Sequence, residues 1–136
     1  MKQLLYPQEV EVYYILPTIR KHLATALKER GMPQAKIAEL LNIQAAAVSQ
    51  YMSNKRGSQI TLKDNIIHEI HGAAQRITST FDVLRETQSI LQKIRETGGL
   101  CDIHKQFFNA PDNCTPDEIG CTTGGTCYGP APRICH

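Results

Sequence analysis

The stretch that most constrains this chain runs from Pro33 to Gly57, PQAKIAELLNIQAAAVSQYMSNKRG. Its apolar residues fall into two helical sets with only a few positions between them. Ile37, Ala38, Leu40 and Leu41 form the inner face of one short helix, for which Pro33 suits the first turn. Ala47, Val48 and Tyr51 form the inner face of a second helix, expected over 44–54. Asn42 stands where the chain must reverse, and asparagine tolerates left-handed backbone better than most residues. Ile43 is then an apolar plug for the turn. Two short helices on so tight a turn are expected to form a helix-turn-helix, which sets its second helix in the DNA major groove.

The residues left pointing outward suit that task. They are Gln44, Ala45, Ala46, Ser49, Gln50 and Ser53. Glutamine pairs bidentately with adenine, serine bonds either way, and alanine methyls meet thymine methyls. Small side chains at 45 and 46 let the helix sit deep in the groove. Gln34, at the start of the first helix, can contact a phosphate. Lys55 and Arg56 follow the second helix as phosphate clamps, with Lys36 as a helper. A stretch such as QAAAVSQ alone reads more simply as a helix with a small-residue packing face; the turn length and the flanking cations favour DNA. Charge placement agrees. Residues 1–60 hold eight Lys/Arg against four Asp/Glu, net +4; residues 61–100 are neutral with five of each; residues 101–136 hold two against four, net −2.

Around this module the expected fold class is all-α, in three parts. Residues 1–60 are the DNA-binding domain. Its first helix starts at Pro17, after a short mixed segment from 8 to 16. It runs through TIRKHLATALKER, with Ile19, Leu23, Ala26 and Leu27 inward, and stops at Gly31. Residues 61–99 read as one long helix, capped by Thr61 with Asp64 and stopped by Gly98-Gly99. Its apolar stripe includes Leu62, Ile66, Ile70, Ala73, Ile77, Phe81, Leu84, Leu91 and Ile94. About 37 residues rising ~1.5 Å each span roughly 55 Å, too far for a three-helix head to cover, so the stripe is expected to join two copies as a homodimer. Two helices broken near Gly72 and packed within one chain are the alternative. Residues 100–136 form an irregular tail rich in Gly and Pro. No apolar run reaches the length of a membrane span and the N-terminus lacks a signal-peptide pattern, so a cytoplasmic protein is expected. No catalytic constellation stands out, so no enzyme is expected.

The tail carries all five cysteines, Cys101, Cys114, Cys121, Cys127 and Cys135. Clustered thiols in a cytoplasmic chain favour a metal or redox site over a disulfide framework. The intervals contain twelve, six, five and seven residues, with no C-x2-C knuckle, which suits zinc poorly. An iron–sulfur cluster is expected, two-iron or four-iron, on Cys114, Cys121 and Cys127. Cys101 is the preferred fourth ligand and Cys135 the alternative. The glycines of CTTGGTC would let backbone approach a cluster closely. Structural zinc, with His104 or His136 assisting, and a metal-free thiol–disulfide switch are the alternatives. His68 and His71, three apart, read more simply as solvated or interface residues than as a metal clamp, and His22 as an ordinary helix residue.

The segment YYILPTIRKHLATALKERGMPQAKIAELLNIQAAAVSQYMSNKRG resembles a family of small archaeal transcriptional regulators with a lambda-repressor-like (Xre-type) helix-turn-helix. The matching elements are Leu16-Pro17 with Ile19-Arg20, Gln34 with Ile37-Ala38 and Leu41, Gln44 through Tyr51, and Lys55-Arg56-Gly57. The resemblance covers residues 6–60 and implies operator binding, usually as a dimer. The rest of the chain fits the family more loosely. Asn42 departs from it, where such turns more often carry glycine. The inner cysteine trio is similar in spacing alone to the three-cysteine loops of winged-helix iron–sulfur repressors.

Overall fold

The computed structural model describes residues 5–107, and every regular element among them is helical. The chain opens with α1 (Pro7–Val10), a π-helical turn (Glu11–Ile15) and α2 (Leu16–Glu29). It continues with α3 (Gln34–Leu41), α4 (Ala45–Met52), α5 (Asp64–Arg76), α6 (Thr80–Glu96) and α7 (Gly99–Phe107). Among the described residues no helix is long and apolar enough to cross a membrane.

The centre is α2. Ile15, the last residue of the π-helical turn, and Ile19, Leu23 and Leu27 of α2 recur every fourth residue and are fully buried. This stripe packs chiefly on α5, where Ile66, Ile70, Ala73 and Ala74 are buried, and then on α4 and α3. α5 thus completes the core of the N-terminal helices, and one apolar cluster runs from Val10 to Ile103.

Three expectations are corrected. First, the helix does not start at Pro17: it begins at Pro7, takes in the short mixed segment 8–16, and Pro17 lies inside a continuous helical run. In an α-helix the Pro17 ring would press on the carbonyl four residues back. The widened turn lies directly before it, with the Leu16 N–H donating to the Glu11 carbonyl. Thr18 Oγ1 donates to the Tyr14 carbonyl at 2.7 Å.

Second, residues 61–99 are not one helix. Ile77 (φ −79°, ψ 123°) and Ser79 (φ −140°, ψ 164°) are extended. Short hydroxyl side chains offer the backbone a local alternative to helix. Here Ser79 Oγ accepts the Asp82 N–H at 3.1 Å, and the Asp82 carboxylate accepts the N–H groups of Thr78 and Ser79 and the Thr78 hydroxyl at 2.9–3.2 Å. Hydrogen bonds from Thr78, then from Ser79, and the nearby Arg85 charge hold the Asp82 carboxyl at about 2. Arg30 donates to the carbonyls of Ala74 (3.1 Å) and Ile77 (2.7 Å), which closes the end of α5. The break lets α6 fold back on α5, tied by Lys93–Glu69 (2.7 Å) and Arg76–Glu86 (3.0 Å). Ile90, Leu91 and Ile94 are buried within the chain, which removes the length argument for a partner; Phe81 and Leu84 stay exposed, at 67% and 57%. Gly72, the alternative break point, lies inside α5.

Third, the stretch from Leu100 to Phe107 is helical rather than irregular. Gly98 (φ +79°) makes the turn after α6, and Leu100 and Ile103, three apart, bury one face of α7 against α1 and α6. Beside this contact, Glu11 and Arg95 form a two-pronged pair at 2.8 and 3.1 Å, with both side chains mostly covered.

Candidate nucleic-acid interface

Helices α2, α3 and α4 end in the same way. Gly31, Asn42 and Asn54 take left-handed backbone (φ 97°, 53° and 62°). In each case two following amides fold back onto the last turn: Gly31 to Lys28 and Met32 to Leu27, Asn42 to Glu39 and Ile43 to Ala38, Asn54 to Tyr51 and Lys55 to Gln50. At Asn42 this brings α3 round into α4 within three residues, with Ile43 half-buried against the core.

The buried set on α4 is Ala47, Val48 and Tyr51. Gln44, Ala45, Ala46, Ser49 and Ser53 are therefore exposed, while Gln50 is half-buried. Gln44 precedes the first turn in extended conformation without capping it through its side chain, so the amides of Ala45 and Ala46 have no acceptor inside the helix. Gln34, at the start of α3, meets the middle of α4: Ser49 Oγ donates to Gln34 Oε1 at 3.4 Å. Gln50 differs from the other outward residues, because its Oε1 is buried without a hydrogen-bond partner.

Lys55 and Arg56 leave α4 in a tight loop whose amides both donate to the Gln50 carbonyl (2.8 and 3.3 Å), and their side chains are exposed. The loop is fixed against α2 at Gly57 (φ +74°), where a Cβ would stand 2.6 Å from the Pro17 carbonyl oxygen. Lys36 is exposed but shares its charge with Glu39 at 3.7 Å. Between this loop and the π-helical turn lies a cleft of about 330 Å³, whose lining includes Tyr13, Arg20, Tyr51, Lys55 and Arg56. Tyr13 and Arg20 were not legible as site residues. Only the packing of α2 brings them beside a loop more than thirty positions away.

Of the thiols, only Cys101 falls within the described residues. It is buried on α7, one helical turn from His104, whose Nε2 lies 2.6 Å from the Leu5 carbonyl oxygen. Cys114, Cys121, Cys127, Cys135 and His136 lie outside them. Among the described residues no three His, Cys, Asp or Glu side chains come together as a metal site. His71 faces Glu29 at 3.9 Å and His68 is exposed. His22 is held below the usual imidazole range by burial and then by the charges of Lys21 and His71. No family model, curated protein or solved structure matches this chain.

Proposed function

We propose that this chain is a helix-turn-helix DNA-binding regulator that reads the major groove with α4. The observation that carries the reading is the division of α4 into a buried face and a small, polar outer face, followed at once by two exposed cations. Gln44 and Ser49 offer hydrogen bonds to base edges, and Ala45 and Ala46 leave room for close approach. The open amides at the start of α4, together with Gln34, suit phosphate oxygens. Lys55 and Arg56 supply the salt-sensitive part of the affinity.

Selection of bound sequences from a random duplex library tests the reading. Enrichment of a defined site, lost on Gln44→Ala with Ser49→Ala, is the expected result. Recovery of no preferred sequence would count against it. Two copies on paired half-sites fit the same reading, with exposed Phe81 and Leu84 as an apolar surface for a two-fold contact.

The control element we propose is the cysteine-rich stretch, with Cys114, Cys121 and Cys127 as thiolate ligands of an iron–sulfur cluster. When bound, the cluster would supply an iron- or redox-dependent state. The described residues contain one such candidate ligand, Cys101, which is 7% exposed on a packed helix; Cys135 is the alternative fourth ligand. Iron, sulfide and zinc quantified on protein purified without oxygen test this. Matched iron and sulfide support the cluster; zinc alone makes the stretch a structural clip.

A further inference from the structure

We propose that the cleft between the π-helical turn and the loop after α4 binds the phosphate of a small nucleotide-like ligand. Three cations from two separate elements converge on it, Arg20 from α2 and Lys55 and Arg56 from the loop, and no acidic side chain lines it. None of the three forms an ion pair among the described residues. Arg and Lys side chains so placed suit a phosphate, with Arg adding two-pronged geometry. The walls are aromatic. Tyr51 is buried at the base of the cleft, and Tyr13 stands 60% exposed at its side, an open ring on which a planar base can stack. A volume of about 330 Å³ lies within the range of small-molecule sites.

The walls are also built rather than incidental. Gly57 holds the loop on α2 at a distance no side chain would permit, and a π-helical turn, a feature frequent at functional sites, presents Tyr13. Two sources of phosphate share this chemistry, a free nucleotide and the backbone of bound DNA. The proposal commits to the free nucleotide. Because Lys55 and Arg56 are also the proposed backbone clamps, such a ligand would compete with DNA; that consequence rests on the DNA-binding reading, while the site itself does not.

The test is a backbone amide NMR titration of the full chain with inorganic phosphate, with each ribonucleoside 5′-monophosphate, and with a duplex. At least one nucleotide is expected to shift the amides of 12–20 and 51–59 saturably, and to bind roughly tenfold more tightly than inorganic phosphate, the scale of one added stacking contact. Arg20→Gln should weaken that binding roughly tenfold, as loss of one charge-assisted contact would. Tyr13→Ala, at an exposed position, should erase the preference over phosphate. The parent-like spectrum of each variant shows that it is folded. If no nucleotide moves these amides, if only the duplex does, or if Arg20→Gln binds as tightly as the parent, the proposal is overturned. Duplex binding without nucleotide binding sinks this inference alone; nucleotide binding without duplex binding sinks the DNA-binding reading alone.

Discussion

Asn42 holds a left-handed backbone that an ordinary L-residue adopts only at a cost of about 1–2 kcal/mol. Asn42→Ala should therefore lower stability by about 1 kcal/mol in urea unfolding, and Asn42→Gly should match or slightly exceed the parent. Equal stability of all three would mean that the turn does not depend on this residue. Gln50 shows the opposite balance. Its buried Oε1 lacks a donor, which leaves a desolvated acceptor in the fold. The response to acid is set by His22 and by the carboxylates of Asp82, Glu69 and Glu86, which Thr78, Lys93 and Arg76 respectively hold below the ordinary range. His22 has its pKa lowered, so its share of stability is present above the ordinary value of about 6.5 and is lost as pH falls below it. Asp82 is depressed to about 2. Its share is present above the ordinary carboxylate value of about 4 and is lost as pH falls from there toward its folded value. Urea midpoints against pH should fall in these two windows, and His22→Gln should flatten the upper one alone. A midpoint constant down to pH ~4 would contradict the His22 assignment.

At the scale of elements, α3 and α4 were legible because one short apolar period, one turn residue and the following cations all lie within 25 residues of sequence, Pro33 to Gly57. The break between α5 and α6 was not. Apolar spacing continues through Ile77 and Phe81 as though the helix did, and what interrupts it is a polar competition among Thr78, Ser79 and Asp82. The capping box at Ser79 starts α6 where α5 can end, and Arg30, distant in sequence at the end of α2, provides that end. The π-helical turn before Pro17 was hidden similarly, since proline in sequence reads as a beginning. Ser79→Ala should cost about 1 kcal/mol of stability by removing the cap of α6. No loss would mean that packing against α5 alone holds the break.

For the whole molecule, one long-range tie is Glu11 with Arg95, 84 residues apart and two-pronged. It joins the π-helical turn to α6 beside α7. Arg95→Met should cost about 2 kcal/mol because it strands a covered carboxylate, and adding Glu11→Gln should recover most of that loss. An equal loss in the single and double variants would show that packing, not the pair, is responsible. The architecture also alters what a dimer could use: α5 and α6 satisfy each other, and of the stripe expected to join two copies Phe81 and Leu84 stay exposed.

Whether α4 and the loop after it read DNA is decided by the affinity of the full chain for its selected duplex across a salt series, for the parent and for Lys55→Ala with Arg56→Ala. The parent is expected to bind saturably and with sequence preference, its log affinity falling linearly in log salt. Losing the two cations should make that slope shallower by about two per chain while the preferred sequence stays the same. Binding that shows no sequence preference, or a slope unchanged by the double substitution, would contradict the DNA-binding reading.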